Sequence, residues 1–276
     1  MNRFCVTMGL CGLLLAAANA GFAQSFTLYD GTSGVTPDNA TWGWNYLSTG
    51  GSATKTAVGG VTTLDSTASD GISAGFSTVT SGRSTPFVLN NAAGYTVGFD
   101  IQVNSENHSN ANADKNADGL ADRSGVSLIV LGSDHKGVEM AFWQDEIWTQ
   151  QDSPLFIHNT VSERDQGAGL TNLLTHYNLT VQGSSYSLSN AGGTVLLTGS
   201  LRDYFGNGAP SLPYATPNFL FLGDDTTSAN GSVGIGRVTV TLATPEPGVW
   251  TLLASGLIGT GLLWKRRKRH SPGKKA

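Results

Sequence analysis

Across residues 176–201 the chain alternates apolar and polar residues and interrupts that alternation only at glycine-bearing turns. Tyr177, Leu179 and Val181 fall on one side before Gly183-Ser184-Ser185. Tyr186 and Leu188 follow before Asn190-Ala191-Gly192-Gly193, and Val195, Leu196 and Leu197 then lead to Gly199 and Leu201. A period of two sends successive side chains to opposite faces, so this stretch reads as a meander of antiparallel strands. The pattern recurs over residues 94–103, where Tyr95, Val97, Phe99 and Ile101 point one way and Thr96, Gly98, Asp100 and Gln102 the other. Further strands are expected over 125–131, 137–143, 146–149 and 232–242, the last with a bulge where the alternation breaks at Gly236-Arg237. No segment of the body carries a helical period, and many short strands at this spacing predict an all-β sandwich. Trp42 and Trp44, two apart, are expected to share a face.

The two ends have a different texture. Arg3, an apolar run over residues 5–18 and the small residues Ala18-Asn19-Ala20 form a signal peptide, assigned to residues 1–23, which directs the chain to the Sec translocon. At the other end, residues 249–264 are free of charge and mostly apolar, with Trp250 and Trp264 at the flanks. That stretch of 16 residues is slightly short of the roughly 20 needed to cross a bilayer. Lys265, Arg266, Arg267, Lys268 and Arg269 follow at once and should stay cytoplasmic, leaving the body outside the inner membrane. Residues 270–276 are expected to be a disordered tail.

Pro245-Glu246-Pro247, an apolar helix and an arginine-rich cluster, in that order, resemble the PEP-CTERM sorting signal of Gram-negative bacteria over residues 245–269. The resemblance implies an exosortase as partner, transient anchoring in the inner membrane, and release to the surface or to an exopolysaccharide or biofilm matrix. The body, residues 24–244, resembles the concanavalin A-like lectin/glucanase jelly roll and its laminin-G-type relatives. The matching pieces are residues 95–100, residues 177–181 running into 186–188, and residues 234–238. This second resemblance implies a fold and no particular activity.

Charge narrows the partners. One of the chain's 16 basic residues lies in the leader and seven lie from Lys265 onward, which leaves eight against 20 acidic residues and a net of −12 before the basic cluster. That balance excludes nucleic acid and other polyanions as natural partners. Both cysteines, Cys5 and Cys11, sit in the leader, so the mature body has neither disulfide nor thiol chemistry. His108, His135, His158 and His176 are scattered without zinc-ligand spacing.

One local motif stands out. Asp114, Asn116, Asp118 and Asp122 occupy positions 1, 3, 5 and 9 of a calcium-type loop. Gly119 allows the sharp turn, and Leu120 offers its carbonyl at position 7. Position 12 is Gly125, so the bidentate glutamate of an EF-hand is missing, and the loop looks like those of dockerins and thrombospondin type 3 repeats. The expectation is a structural calcium ion pinning the connection between two strands.

For ligand chemistry the candidates are Glu139, Trp143, Asp145 and Trp148, aromatic surfaces beside carboxylates where a sugar ring would stack. Glu139 lies opposite the apolar face of its strand, and the next outward positions are Ala141 and Trp143. Only one acid therefore stands where glucanases of this fold carry several, and a glycosidase needs two. Asp224-Asp225 is read as a loop pair able to hold a second cation weakly. The expectation is a non-catalytic surface or matrix protein gripping polysaccharide. The alternative is a secreted glycoside hydrolase or other glycan-active enzyme, to be favoured if a groove holds Glu139 and a second acid.

Overall fold

A computed structural model gives the fold and describes residues 23–42, 44–78, 85–160, 162–167 and 169–243. The leader, the sorting segment and the basic cluster lie outside the described residues. Among those described, no helix is long and apolar enough to cross a membrane.

Residues 23–243 form one compact unit of two β-sheets. In chain order the strands are β1 (Gln24–Asp30), β2 (Asn45–Thr49), β3 (Thr54–Val58), β4 (Val61–Asp65), β5 (Ser73–Ser77), β6 (Tyr95–Asn107), β7 (Ser127–Leu131) and β8 (Gly137–Phe142). The series continues with β9 (Glu146–Asp152), β10 (Leu155–His158), β11 (Arg164–Gln166), β12 (Thr175–Gln182), β13 (Ser185–Asn190), β14 (Val195–Ser200), β15 (Phe219–Asp224) and β16 (Asn230–Leu242). The first sheet runs β14-β13-β12-β6-β16-β4-β3, with β1 also paired to β16. The second runs β10-β9-β8-β7-β15-β5-β2, with β11 paired to β9. Every strand pair is antiparallel. The chain is thus an all-β, two-sheet sandwich, with β12–β14 forming the meander its alternation requires.

The core lies between the sheets. Val97, Phe99, Ile101, Tyr177, Leu179 and Val240 face it from the first sheet, and Leu128, Val130, Val138, Met140, Phe142 and Leu222 from the second. Side chains this completely removed from water are each worth roughly 1.5–3 kcal/mol, which lets a cysteine-free body hold itself together. The ladder between β6 and β16 shifts register between Ile235 and Val238, the bulge expected at Gly236-Arg237.

Trp42 and Trp44 do not share a face. The chain turns before β2 begins, so Trp44 enters the core and its Nε1 donates to the Leu28 carbonyl at 3.1 Å. Trp42 stays 40 % exposed against the edge of Phe26.

Candidate active site

The outer face of the second sheet is partly roofed by residues 203–218 and partly by residues 113–123. Cross-strand pairing sets Glu139, Ile129, Phe221, Ser77 and Asn45 in one row across β8, β7, β15, β5 and β2. The next row is Ala141, Ser127, Gly223, Gly75 and Leu47. Gly75 is required by contact, since a Cβ there would stand 2.2 Å from the Phe221 ring. Above these rows opens a cavity of about 430 Å³, walled by Ile129, Phe219, Phe221, Leu212 and Thr216, with Asp225 in its lining.

Arg123 joins this cavity to the end of the first row. Its Nη2 lies 3.3 Å from Asp225 Oδ2, and its Nη1 lies 3.7 Å from Glu139 Oε1. The guanidinium also sits over the Phe156 ring. Glu139 has no exposed surface, its Oε2 accepts from the Tyr214 hydroxyl, and its own backbone N–H donates to the Tyr204 hydroxyl at 3.1 Å. Burial, and then the charge of Asp225, push the Glu139 carboxyl well above the ordinary glutamate range, although Arg123 pulls it down. Burial alone would lower Arg123, but Asp225 and Glu139 more than offset this. Burial followed by Glu139 raises both Tyr204 and Tyr214. Arg123 Nη1 and Glu139 Oε1 are buried and lack a hydrogen-bond partner among the described residues. The two face each other just beyond hydrogen-bonding distance, so their attraction is that of charge in a site closed to water.

The ligand residues expected from sequence separate. Glu139 is on the outer face, as its alternation requires, but it is sealed under Tyr214 rather than solvated. Trp143 and Trp148 pack against each other with centroids 5.2 Å apart and are 7 % and 0 % exposed, so neither offers a surface to a sugar ring. His108 stacks on Trp143, and His158 lies against both indoles. Asp145 stands exposed in the turn between β8 and β9, where its carbonyl accepts from Gly167 N. Asp224 is the last residue of β15, not a loop residue, and is buried. Asp225, Arg123 and Tyr214 are side chains of this cluster that sequence reasoning did not join. The available signal was an acidic pair at the end of an apolar strand.

The acidic loop is wound by its own oxygens. Asp114 accepts from Asp118 N and Gly119 N, and Asp118 accepts from Leu120 N, with Asn116 donating to Asp118. Asp122 is anchored on both sides: its two oxygens accept from His158 N and Lys115 N, both at 2.7 Å, and it is fully buried. No group of three His, Cys, Asp or Glu among the described residues is placed to hold a metal. Of the expected calcium set, Asn116, Asp118 and Leu120 are exposed and Asp114 is half-buried, while Asp122 braces β10.

The sequence matches no protein-family model and no curated protein. Among solved structures it is similar to the carbohydrate esterase vb_24B_21 from the Shiga toxin-encoding bacteriophage phi24B, at 11 % identity and a TM-score of 0.45 over 80 % of this chain and all of that one. It is similar also to SCLam, a non-specific endo-β-1,3(4)-glucanase from family GH16, at 12 % identity and 0.44 over 80 % and 92 %. A third is the alginate lyase A1-II′ of polysaccharide lyase family 7, at 14 % identity and 0.39 over 80 % and 95 %. Those activities belong to those proteins. The expectations of a non-catalytic protein, and of no enzyme, are corrected at this point. Several of the solved structures it is similar to are named as glycan-active enzymes, a likeness that bears on the fold alone. Within this chain the indoles meant to grip sugar are buried, and Asp225 stands near Glu139, although only Asp225 lines the cavity.

Proposed function

We propose that this chain is a secreted glycan-active enzyme working by general acid–base cleavage in the cavity that Asp225 lines. The observation that carries this reading is Asp225, the acidic residue lining the cavity, which Arg123 holds beside a buried carboxyl pushed well above the ordinary glutamate range. Asp225 accepts the proton of an attacking water and returns it to the leaving sugar oxygen, so one carboxylate serves both halves of the transfer. Asp225 is the group that meets substrate. Arg123 fixes its orientation, and Glu139 and Tyr214 hold Arg123 from behind. Leu212, Phe219 and Phe221 offer apolar walls to the carbon face of a sugar ring, and Thr216 offers a hydroxyl. The test is product release from a panel of soluble β-glucans, mannans and acetylated xylans, followed by reducing ends and by free acetate. Asp225→Asn should lower turnover at least ~100-fold, in line with removal of an acid–base group. Equal turnover in the variant, or no product from any glycan, would remove the proposal.

We further propose, from the sequence alone, that Sec export and exosortase sorting deliver this enzyme outside the inner membrane. Gln24 pairs with Leu242, so the first and last strand residues of the body are neighbours in one ladder. Removal of both end segments leaves that ladder whole. Intact-mass spectrometry of protein recovered from the native host's medium should find a species trimmed near residue 23 and near residues 245–247. Recovery of the uncut chain in the membrane fraction alone would show that the tail is an ordinary anchor.

A further inference from the structure

The outer face of the first sheet, remote from Asp225, carries a feature that the proposed reaction does not use. Register places Thr198 opposite Ser187, Ser187 opposite Thr180, Thr180 opposite Thr96, Thr96 opposite Thr241 and Thr241 opposite Ser25. Six hydroxyls thus cross β14, β13, β12, β6, β16 and β1 in one unbroken row, and none of the six residues is buried. Two adjacent pairs bond to each other, Thr96 with Thr180 at 3.0 Å and Ser25 with Thr241 at 3.1 Å. At ~4.8 Å per strand the row is roughly 24 Å long. The neighbouring row, Ser189, Asn178, Gly98, Thr239 and Thr27, is also uncharged, and its neighbours' side chains close over Gly98. A Cβ at Gly98 would stand 2.7 Å from Thr239 Oγ1. A depression of about 440 Å³ lies against Thr180, Ser187 and Thr198 at one end of the row.

We propose that this face is a binding surface for an extended, neutral polysaccharide lying along the hydroxyl row. Serine and threonine hydroxyls both donate and accept, as sugar hydroxyls do, so each strand offers one reversible partner to the polymer. The strand spacing is close to the advance of one pyranose unit in an extended chain, so successive sugars meet successive hydroxyls. Charge selects among polymers: both rows are uncharged, and the chain before its basic cluster is net −12, which repels uronate or sulfate groups. A second copy of this chain is a poorer occupant, because the two rows lack the large apolar side chains on which stable protein interfaces are centred. The surface holds the polymer independently of the cavity, so binding here does not require that Asp225 be catalytic.

Affinity electrophoresis of the full chain through gels cast with barley β-glucan, galactomannan or alginate tests this. Retardation is expected in at least one neutral gel and not in alginate. The variant Thr96→Val/Thr180→Val/Thr241→Val keeps side-chain shape and strand preference and should weaken the apparent affinity at least tenfold. Circular dichroism checks its fold, and the single exposed change Thr180→Lys, in the middle of the row, should weaken binding in the same direction. Asp225→Asn should migrate as the wild type does. Free migration in both neutral gels, equal retardation of the triple-valine variant, or loss of retardation on Asp225→Asn would each overturn the proposal, the last by placing the polymer in the cavity.

Discussion

Arg123→Ala is expected to destabilise the protein by about 3–5 kcal/mol, the cost typical of removing one partner from a buried charge cluster. Arg123 stands between the wholly buried Glu139 and Asp225 and is itself almost entirely buried. Without it, two carboxyl groups face one another with no cation between them, and the Phe156 ring loses its guanidinium. The variant should relieve part of that cost by protonating a carboxyl, so its deficit should be greater at pH 8 than at pH 5. Urea unfolding at both values measures this. The double variant Arg123→Met/Glu139→Gln should recover much of the loss, since an uncharged pair of similar volume needs no compensation. A single variant within 1 kcal/mol of the wild type at pH 8 would show that the cluster is solvated and that the buried acid pair does not exist.

The fold could be read from residues 94–103 and 176–201 because burial on one face imposes period two, and a slip of one residue would turn Val97, Phe99, Leu179 and Val181 into solvent. The bulge at Gly236-Arg237 was visible for the same reason. Position along a strand gives a face, but it does not say what covers that face. Glu139 and Trp148 both point outward from their sheet, as alternation says, and both are nevertheless buried, because residues 113–123 and 203–218 fold back over them. That roof is made of loops, whose path leaves no periodic trace in sequence. The separation of Arg123 from Asp225, 102 residues apart, is the same difficulty: each lies in a segment whose partner is set by the roof and not by its own strand. The acidic loop shows a third kind of limit. Spacing fixes which residues carry oxygens, but it does not reveal that Asp122 Oδ1 accepts from the His158 amide 36 residues away.

Asp224 gives the second large expectation, a fall in stability as the pH rises. It is 2 % exposed, with Oδ2 accepting from Ser66 Oγ at 2.5 Å and Oδ1 accepting from Thr226 N at 3.1 Å. Burial outweighs those two bonds, and with the charge of Asp225 it moves the carboxyl from 3.8 to about 8. A folded-state value above the unfolded one means that the folded chain holds the proton longer. The contribution to stability is therefore whole below about pH 4 and is lost as the pH climbs through 8. At ~1.4 kcal/mol per pKa unit the ceiling on this change is roughly 6 kcal/mol, which relaxation and water entry reduce to a few. Glu139 acts in the same sense. Glu146 and Asp38 act in the opposite one: burial would raise both, but bonds from His158 and Gln166 to the first, and from Lys55 and Thr36 to the second, hold them low. Their contribution is lost as the pH falls below the ordinary carboxylate range, so stability should peak near pH 5 and decline on both sides. Asp224→Asn isolates the alkaline limb. The amide oxygen can still accept from Thr226 N and its NH₂ can donate to Ser66 Oγ, which is already within 3.1 Å of the Gly231 carbonyl as an alternative acceptor. Unfolding curves at pH 5 and pH 8.5 should show the variant close to the wild type at the lower value and more stable than it at the higher. A wild type as stable at pH 8.5 as at pH 5, or a variant that keeps the wild-type slope, would mean that Asp224 is ionised and solvated in the native state, and would place water at the end of β15 where the packing leaves none.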